Sequence, residues 1–268
     1  MTSGGDVARF ADRIRLRAVR MVAPHGFGYL GQALSSAELF AVLYAGRYKP
    51  GRDDLVVSAG HYIIAAFAAA AEAGLLEESA LESYGFDDSS LEAIGTERSP
   101  AVEMVCGSLG QGLSGAVGFA LSRRMRGGAD RARGSVFAVV SDGELEEGQL
   151  WEAAMFAGHH RLDSLVVLLD ANNSQVDGPV SSITTLEPLA AKWESFGWAA
   201  YDVDGHDAGA VTVALDAAQA GDRPAVVIGR TSTTRGLSVL PPGADGHFMK
   251  LPPDLAAAAL AEIEARLA

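Results

Sequence analysis

The sequence predicts an α/β fold, a single domain with a mainly parallel sheet that helices cover on both faces. The first observation is that apolar runs such as "SVFAVV" and "LVVLL" are nearly continuous, which is typical of strands buried on both faces of a sheet. The second is that helical segments alternate with these runs, as strand–helix–strand units require. No long linker or internal repeat divides the 268 residues, so we predict one domain over 1–268.

The elements are predicted in a regular order along the chain. Apolar residues recur at helical spacing from Val7 to about Val22, and a second helix should begin at Ser35 or Ser36 with Glu38 in its first turn. Strands are then predicted in "DDLVVSAGH", "VEMVC", "SVFAVVSDG", "LDSLVVLLDANN" and "RPAVVIGRT". Further helices are predicted in "YIIAAFAAAAEAGLL", "GLSGAVGFALSRRM", "EGQLWEAAMFAGHHR", "DAGAVTVALDAAQ" and "DLAAAALAEIEARLA".

Composition narrows the classes of partner. A formal charge of −13 argues against nucleic acid and anionic membranes, because the cationic surface that neutralises phosphates is missing. No apolar run approaches the roughly 20 residues that span a bilayer, and no signal-peptide pattern opens the chain. Cys106 is the single cysteine and cannot form an intrachain disulfide, which favours a reducing compartment. We therefore expect a soluble cytoplasmic protein.

A glycine loop offers one possible cofactor site. Gly110, Gly112 and Gly115 fit the dinucleotide pattern G-x-G-x-x-G after a possible strand. The acidic residue expected about 20 residues further on falls instead in the polar stretch "GGADRARG". Glycines also let a helix pack closely on a sheet, so nicotinamide or flavin binding stays open only as a weaker alternative.

Carboxylates and amides follow two consecutive apolar strands. Asp142 ends one strand and Asn172 ends the next, with one helical crossover between them, so both should reach the same edge of the sheet. A carboxylate, an amide oxygen and a backbone carbonyl, completed by phosphate oxygens, suit Mg²⁺ or Ca²⁺. Gly143 removes a side chain where a diphosphate would approach. Asp142-Gly143 or Asn172-Asn173 alone could be a turn, but together they favour a metal site.

These stretches resemble a known family. "SDGELEEGQLWEA" followed by "LVVLLDANNSQVDG" resembles the thiamine-diphosphate motif, and the chain from residue 10 to 253 is similar to the N-terminal half of transketolase. "GYLGQALSSAEL", "DDLVVSAGH", "VEMVCGSLGQGLSGAVGFAL" and "RPAVVIGRTSTTRG" all follow the family's order. The length resembles the small subunit of split transketolases, whose pyrimidine-binding and C-terminal domains lie on a separate chain. The resemblance implies the thiamine-diphosphate-binding fold.

The resemblance also implies a cofactor and its ligands. It assigns Asp142 and Asn172 as ligands of Mg²⁺ or Ca²⁺, with the Ser174 carbonyl as the third. Gly143 would lie against the diphosphate of thiamine diphosphate. The carbonyls of Gly107 and Leu109 would face the aminopyrimidine ring of the cofactor.

Four further residues are implied in catalysis. His61 and His247 match histidines that line the cofactor and substrate channel, and Tyr29 could hydrogen-bond a ketol intermediate. Glu147 is a candidate both for catalysis and for cofactor binding. Together with Glu152, it matches a carboxylate network that links the two active sites of a dimer.

The activating glutamate of the family belongs to the other half of the enzyme. The resemblance therefore implies a diphosphate-binding subunit that acts only with a C-terminal transketolase-like partner carrying that glutamate, assembled as an α2β2 heterotetramer. We accordingly interpret Glu144 and Glu146 as solvated or interface carboxylates, and His206 as structural. The implied reaction transfers a two-carbon ketol unit from a ketose.

The chain departs from the family pattern mainly on the sugar side. The family's "GHPGGSLS" is "GYLGQALS" here, so Tyr29 replaces a histidine; Thr96 stands where a second histidine is expected and Ala59 where a lysine is expected. The metal and cofactor positions survive, which predicts intact cofactor binding and a changed substrate. Two alternatives stay open: transfer of a two-carbon acyl unit to a lipoyl or carrier-protein thiol, and a non-catalytic subunit that binds the cofactor.

Overall fold

The computed structural model describes residues 4–126, 134–241, 243–244 and 246–268. Residues 127–133 lie outside the described residues. They belong to the polar stretch "GGADRARG", where the acidic residue of the dinucleotide pattern was expected.

A parallel six-stranded sheet forms the centre of the fold. The β-strands are β1 Phe27–Gly28, β2 Asp54–Val57, β3 Met104–Val105, β4 Val136–Ser141, β5 Leu165–Ala171, β6 Ala199–Asp204, β7 Ala225–Arg230 and β8 Met249–Lys250. The central sheet has the order β3-β2-β4-β5-β7-β6, and each of its neighbouring pairs is parallel. The predicted mainly parallel sheet is therefore confirmed.

Helices connect the strands. The α-helices of the described ranges are α1 Gly4–Val22, α2 Leu30–Ser35, α3 Ala37–Val42, α4 Ile63–Glu72, α5 Gln111–Met125, α6 Gly148–His159, α7 Val180–Ile183, α8 Leu189–Ser195, α9 Ala208–Ala220 and α10 Pro253–Leu267. The second helix was expected to begin at Ser35 or Ser36; α3 begins at Ala37 with Ser36 as its N-cap, and α2 precedes it directly. Across the described ranges, no helix has both the length and the apolarity needed to cross a membrane.

The two faces of the sheet bury separate apolar clusters. In β4, Phe137 and Val139 point into a cluster with α1, α3, α4, α9 and α10, whereas Ala138 and Val140 point into a cluster with α5, α6 and α8. Burying a large aliphatic or aromatic side chain stabilises a fold by about 1.5–3 kcal/mol. This double burial explains why the strand sequence is continuously apolar, and it confirms the prediction of helices on both faces.

Strand register determines which residues reach the functional edge of the sheet. β4 and β5 are neighbours, and Ser141 pairs with Asp170 at their carboxyl ends. The residues that follow both strands therefore emerge side by side. A second, antiparallel pair joins β1 to β8, with Phe27 opposite Lys250, and so brings the start of α2 next to residues 247–249. Strands of two residues leave no periodic pattern, and this pair was not predicted.

Candidate active site

The loop that follows β4 touches the loop that follows β5. The backbone N–H of Asn173 donates to Asp142 Oδ2 at 2.6 Å, and the N–H of Gly143 donates to Asp142 Oδ1 at 2.9 Å. Asn173 makes this contact with a φ of +57°, a left-handed conformation that asparagine tolerates better than most residues. The structure thus brings Asp142 and the segment of Asn172 together, as their places in the sequence predicted.

The Asn172 side chain is oriented by a buried polar network. Its Nδ2 group donates to Asp170 Oδ2 and to the Tyr62 hydroxyl, both at 2.9 Å, and lies 3.4 Å from Ser35 Oγ. Because these partners take the amide hydrogens, the Oδ1 atom is turned toward its own loop, where it accepts from the Ser174 N–H at 2.9 Å. An oxygen therefore faces the loop in which a cation ligand was predicted.

Asp170 is the centre of that network and was not identified from the sequence. It is fully buried, and it accepts hydrogen bonds from the hydroxyls of Ser35, Tyr62 and Thr231 as well as from Asn172. Burial raises the pKa of its carboxyl group, although these donors oppose the shift. A carboxylate inside the apolar run "LVVLLDA" was the available signal, because such a residue needs several donors to remain in a buried strand.

The donor set fits a divalent cation. Asp142 is 4% exposed, and burial together with the charge of Asp170 raises its pKa to about 7. Among the ion pairs of the described residues, none neutralises Asp142. The described residues contain no cluster of three His, Cys, Asp or Glu side chains suited to a metal, so a cation here would rely on one carboxylate, amide and carbonyl oxygens, and the ligand's own oxygens. Hard cations such as Mg²⁺ and Ca²⁺ accept such oxygen sets.

Ser174 and Gly143 remain predictions in this site. Ser174 lies in the same loop as Asn172, but its predicted role rests on a backbone carbonyl. A Cβ atom on Gly143 would stand 3.4 Å from the Gln175 Cβ, an ordinary contact. The protein alone therefore does not require glycine at position 143, and its role beside a diphosphate stays a prediction.

Glu144 corrects one interpretation made from the sequence. It is neither solvated nor at the surface: its side chain is fully buried, with Oε1 accepting from the Gly110 N–H and from Ser58 Oγ, both at 2.8 Å. Oε2 accepts from the Ser141 N–H at 3.2 Å. These three donors replace water, although burial still raises the pKa of this carboxyl group to about 7. Glu146 is exposed, as expected.

The glycine loop lies beside Glu144. Gly107 and Leu109 are exposed in the segment between β3 and α5, and Gly110, the next residue, has a left-handed φ of +79°. A Cβ atom on Gly110 would stand 2.8 Å from the Glu147 Cβ, so Glu147 packs directly against this loop. The side chains of Glu147 and of Glu152 on α6 are exposed.

A cluster of aromatic rings contains the other predicted residues. The Tyr29 ring centroid lies 5.2 Å from that of His61 and 5.7 Å from that of His247, and the two histidine rings are 5.1 Å apart. Phe248 closes the cluster with its centroid 5.1 Å from that of Tyr29. The β1–β8 pair provides this proximity, because it holds the segments of Tyr29 and His247 side by side.

His61 connects the aromatic cluster to the candidate cation loop. Its ring packs on Tyr62 with centroids 5.1 Å apart, and the Tyr62 hydroxyl accepts from Asn172. Burial, followed by the neighbouring His247, lowers the pKa of His61 to about 3, so the ring is neutral near pH 7. A neutral imidazole can both donate and accept a hydrogen bond.

His206 has a different environment. Its Nδ1 lies 3.2 Å from Glu38 Oε2, and its Nε2 accepts from the Ser232 N–H at 2.8 Å. Glu38 also forms a buried ion pair with Arg15 at 2.6 Å. Both ring nitrogens therefore hold neighbouring segments together, in keeping with the structural role that was predicted.

The fold and these loops define a class of protein. A parallel sheet that presents oxygen ligands and a glycine loop beyond its carboxyl ends is typical of α/β domains that bind phosphorylated cofactors. Residues 7–254 match the family model described as transketolase, thiamine diphosphate binding domain. The chain belongs to this family.

Relatives in the family cover the chain to different extents. A putative uncharacterized transketolase family protein of Sinorhizobium fredii is 41% identical over 266 residues, which cover 95% of this chain and 94% of that protein. The 6-deoxy-6-sulfo-D-fructose transketolase subunit SqwG of a Clostridium species is 36% identical over 269 residues, 97% of this chain and 96% of that subunit. The transketolase structure from Campylobacter jejuni superimposes with a TM-score of 0.87 at 25% identity, over 98% of this chain but only 43% of that enzyme.

Proposed function

We propose that this chain is the diphosphate-binding subunit of a two-component, thiamine-diphosphate-dependent transketolase that transfers a two-carbon ketol unit from a ketose. One observation carries the proposal. The hydrogen bond between the Asn173 N–H and Asp142 joins the two strand-end loops, and Tyr62 joins this pair of loops to the cluster of Tyr29, His61 and His247. A cofactor anchored at the loops would thus have its reactive end near groups able to bind a sugar.

The proposal assigns the anchoring of the cofactor to four residues. Asp142, the Asn172 Oδ1 atom and the Ser174 carbonyl would hold Mg²⁺ or Ca²⁺, and Gly143 would lie against the diphosphate. Among the described residues, no cationic side chain pairs with Asp142, and its pKa stays raised to about 7 although the N–H groups of Gly143 and Asn173 donate to it. A cation would therefore stabilise this buried carboxylate further, which supports the assignment.

The remaining residues would orient the reacting groups. When bound, thiamine diphosphate supplies the nucleophilic carbon and the electron sink for breaking a carbon–carbon bond beside a carbonyl group. The Gly107 and Leu109 carbonyls would accept from the pyrimidine amino group. Tyr29, His61 and His247 would hydrogen-bond oxygens of the sugar, and Glu147 would belong to the carboxylate network at the contact with the second active site.

A partner subunit is part of the proposal. The chain spans less than half of the Campylobacter jejuni transketolase but nearly all of SqwG, whose name describes a subunit. A separate C-terminal chain would then supply the pyrimidine-activating glutamate, with two copies of each chain in an α2β2 assembly. The replacement of a family histidine by Tyr29 supports a donor or acceptor sugar that differs from those of the long transketolases.

Calorimetry on the chain co-purified with its partner tests the cofactor assignment. Thiamine diphosphate should bind in Mg²⁺ and fail to bind in excess chelator. Asp142→Ala should abolish binding, since the site loses its charged ligand, whereas Glu146→Ala, an exposed carboxylate four residues away, should bind like the wild type. Binding that is unaffected by Asp142→Ala would refute the proposed metal site.

Product analysis tests the reaction. Incubating the holoenzyme with ketoses and ketose phosphates should release an aldose two carbons shorter once an aldehyde acceptor is present. The same incubation with a lipoyl or carrier-protein thiol distinguishes ketol transfer from acyl transfer. Thiamine diphosphate binding without either product would instead indicate a non-catalytic subunit.

A further inference from the structure

Gln32 is a buried amide that faces the ring of His247. It lies within α2, its side chain is 1% exposed, and its Nε2 atom is 3.0 Å from the His247 carbonyl oxygen and 3.2 Å from His247 Nδ1. The two contacts are made by one amide nitrogen. Gln32 was not singled out from the sequence, in which it is one polar residue within "YLGQALSS".

The carbonyl contact determines which atom of the amide faces His247. A backbone carbonyl only accepts hydrogen bonds, so the amide atom 3.0 Å from it must be the donating nitrogen; an oxygen there would be repelled. The same NH₂ group then faces Nδ1, and an NH₂ group cannot accept. Nδ1 of His247 is therefore the acceptor, and the proton of the neutral imidazole is on Nε2.

The other end of the amide makes this arrangement costly. Among the described residues, Gln32 Oε1 is one of the few buried side-chain atoms without a hydrogen-bond partner. Leaving a buried acceptor unsatisfied costs about 1–3 kcal/mol. A methionine or leucine would fill the same volume without this cost, so stability alone does not explain a glutamine here.

The position also distinguishes this chain from the family motif quoted above. Where "GHPGGSLS" has its third glycine, "GYLGQALS" has Gln32, and glycine has no side chain that could orient a histidine. The glutamine therefore accompanies the replacement of histidine by Tyr29 three residues earlier. Both side chains contact His247, Tyr29 by ring packing and Gln32 by hydrogen bonding.

We propose that Gln32 is a positioning residue that holds His247 in the Nε2–H tautomer. The imidazole edge opposite Gln32 then carries a hydrogen-bond donor, and any group that meets this edge, from the protein or from a ligand, must offer an acceptor, such as a carbonyl or hydroxyl oxygen. That Gln32 sets the tautomer stands on the geometry alone. That the acceptor belongs to the sugar rests on the proposed function.

Nitrogen-15 NMR of histidine side chains in the 268-residue chain tests the tautomer directly, with the His247 signals assigned by their loss in His247→Gln. In the wild type we expect proton-bearing Nε2 and bare Nδ1. Gln32→Met keeps the volume and removes the donor, and should give a mixture of tautomers. Gln219→Met, which removes a half-buried amide that contacts Ser135 on another part of the fold, should leave the His247 signals unchanged.

Two outcomes of this experiment would overturn the proposal. A proton on Nδ1 in the wild type would contradict the deduced hydrogen bond, and this result needs no variant to fold. An unchanged Nε2–H tautomer in Gln32→Met would mean that another group sets it.

Kinetics of the complex with its partner test the consequence for the substrate. Gln32→Met should raise the KM for the ketose in inverse proportion to the fraction of His247 that keeps the Nε2–H tautomer, about twofold for an equal mixture, while thiamine diphosphate affinity stays unchanged. A KM equal to that of the wild type would contradict the role in substrate binding. A wild type that binds no thiamine diphosphate would instead contradict the proposed function, and the NMR result would still decide whether Gln32 sets the tautomer.

Discussion

The backbone N–H of Gly110 donates to the Glu144 carboxylate at 2.8 Å, and so joins the glycine loop to the loop that follows β4. Gly110 follows Leu109, one of the residues predicted to face the pyrimidine ring, and Glu144 stands two positions after Asp142, the predicted metal ligand. One buried side chain therefore determines the distance between the surfaces predicted to contact the two ends of the cofactor.

Glu144→Gln should weaken cofactor binding although Glu144 is not proposed to contact the cofactor. A glutamine has one accepting oxygen, so its NH₂ group would face either the Ser141 N–H or the pair of donors from Gly110 and Ser58. The lost acceptor should lower the free energy of unfolding by about 1–3 kcal/mol. Relative to the wild type, calorimetry should show a larger loss of affinity for thiamine diphosphate than for inorganic pyrophosphate, because the glycine loop predicted to face the pyrimidine ring is displaced.

Glu146→Gln is the matched control, because Glu146 is exposed and lies in the same short segment. It should leave both affinities unchanged. Equal losses of thiamine diphosphate and pyrophosphate affinity in Glu144→Gln would show that the change disturbs the diphosphate end, and would count against a link to the glycine loop.

Asp170→Asn should destabilise the fold and disorient Asn172. Asp170 accepts four hydrogen bonds in a fully buried position, and the NH₂ group of an asparagine would face at least one of those donors. We expect a loss of about 1–3 kcal/mol in urea unfolding and a weaker Mg²⁺-dependent step in cofactor binding. Asp202→Asn, which removes an exposed partner of Arg230, should change stability by less than about 1 kcal/mol. Equal effects of the two changes would contradict the role of Asp170.

The sequence predicted the fold through its longest patterns. β4 and β5 are continuous apolar runs because both faces of each strand are buried, and this pattern also placed Asp142 and Asn172 at one edge of the sheet. The β1–β8 pair was missed, because the pairing of Phe27 with Lys250 depends on tertiary contacts between distant segments.

Within the site, the sequence could identify candidate side chains but not the groups from distant segments that form hydrogen bonds with them. "DGELEEG" contains three glutamates, and nothing in their spacing tells which of them receives N–H groups from a loop 34 residues away. Glu144 was therefore interpreted as solvated. Gln32 was missed for the same reason, because its partner, His247, is 215 residues away in the chain.

His61 should make stability depend on pH. Its pKa is lowered from 6.5 to about 3 in the fold, so between these values the unfolded chain binds a proton that the folded chain excludes. The stability that comes from the neutral ring is complete above pH 6.5 and is lost as the pH falls toward 3. Between pH 7.5 and pH 5 this one group should cost on the order of 2 kcal/mol.

Urea unfolding at these two pH values measures the effect. His61→Asn does not titrate and should lose less stability than the wild type between them. His159→Asn, at an exposed histidine of α6, should keep the wild-type dependence. If the stability of the wild type and that of His61→Asn depend on pH in the same way, the ring of His61 is protonated in the folded chain more readily than its burial implies.

A matched pair of glycine substitutions tests the conformation of the glycine loop. Gly110 has a left-handed φ, which costs alanine about 1–2 kcal/mol, and a Cβ atom there would approach the Glu147 Cβ to 2.8 Å. Gly118 lies within α5, where a Cβ atom would meet nothing within 4 Å. We therefore expect Gly110→Ala to lower the urea midpoint, and Gly118→Ala to raise it by the equivalent of up to about 1 kcal/mol.

Because the clash at Gly110 would also move its N–H away from Glu144, Gly110→Ala should reproduce the selective loss of thiamine diphosphate affinity expected of Glu144→Gln. A Gly110→Ala protein as stable as the wild type would mean that the loop adopts another backbone conformation.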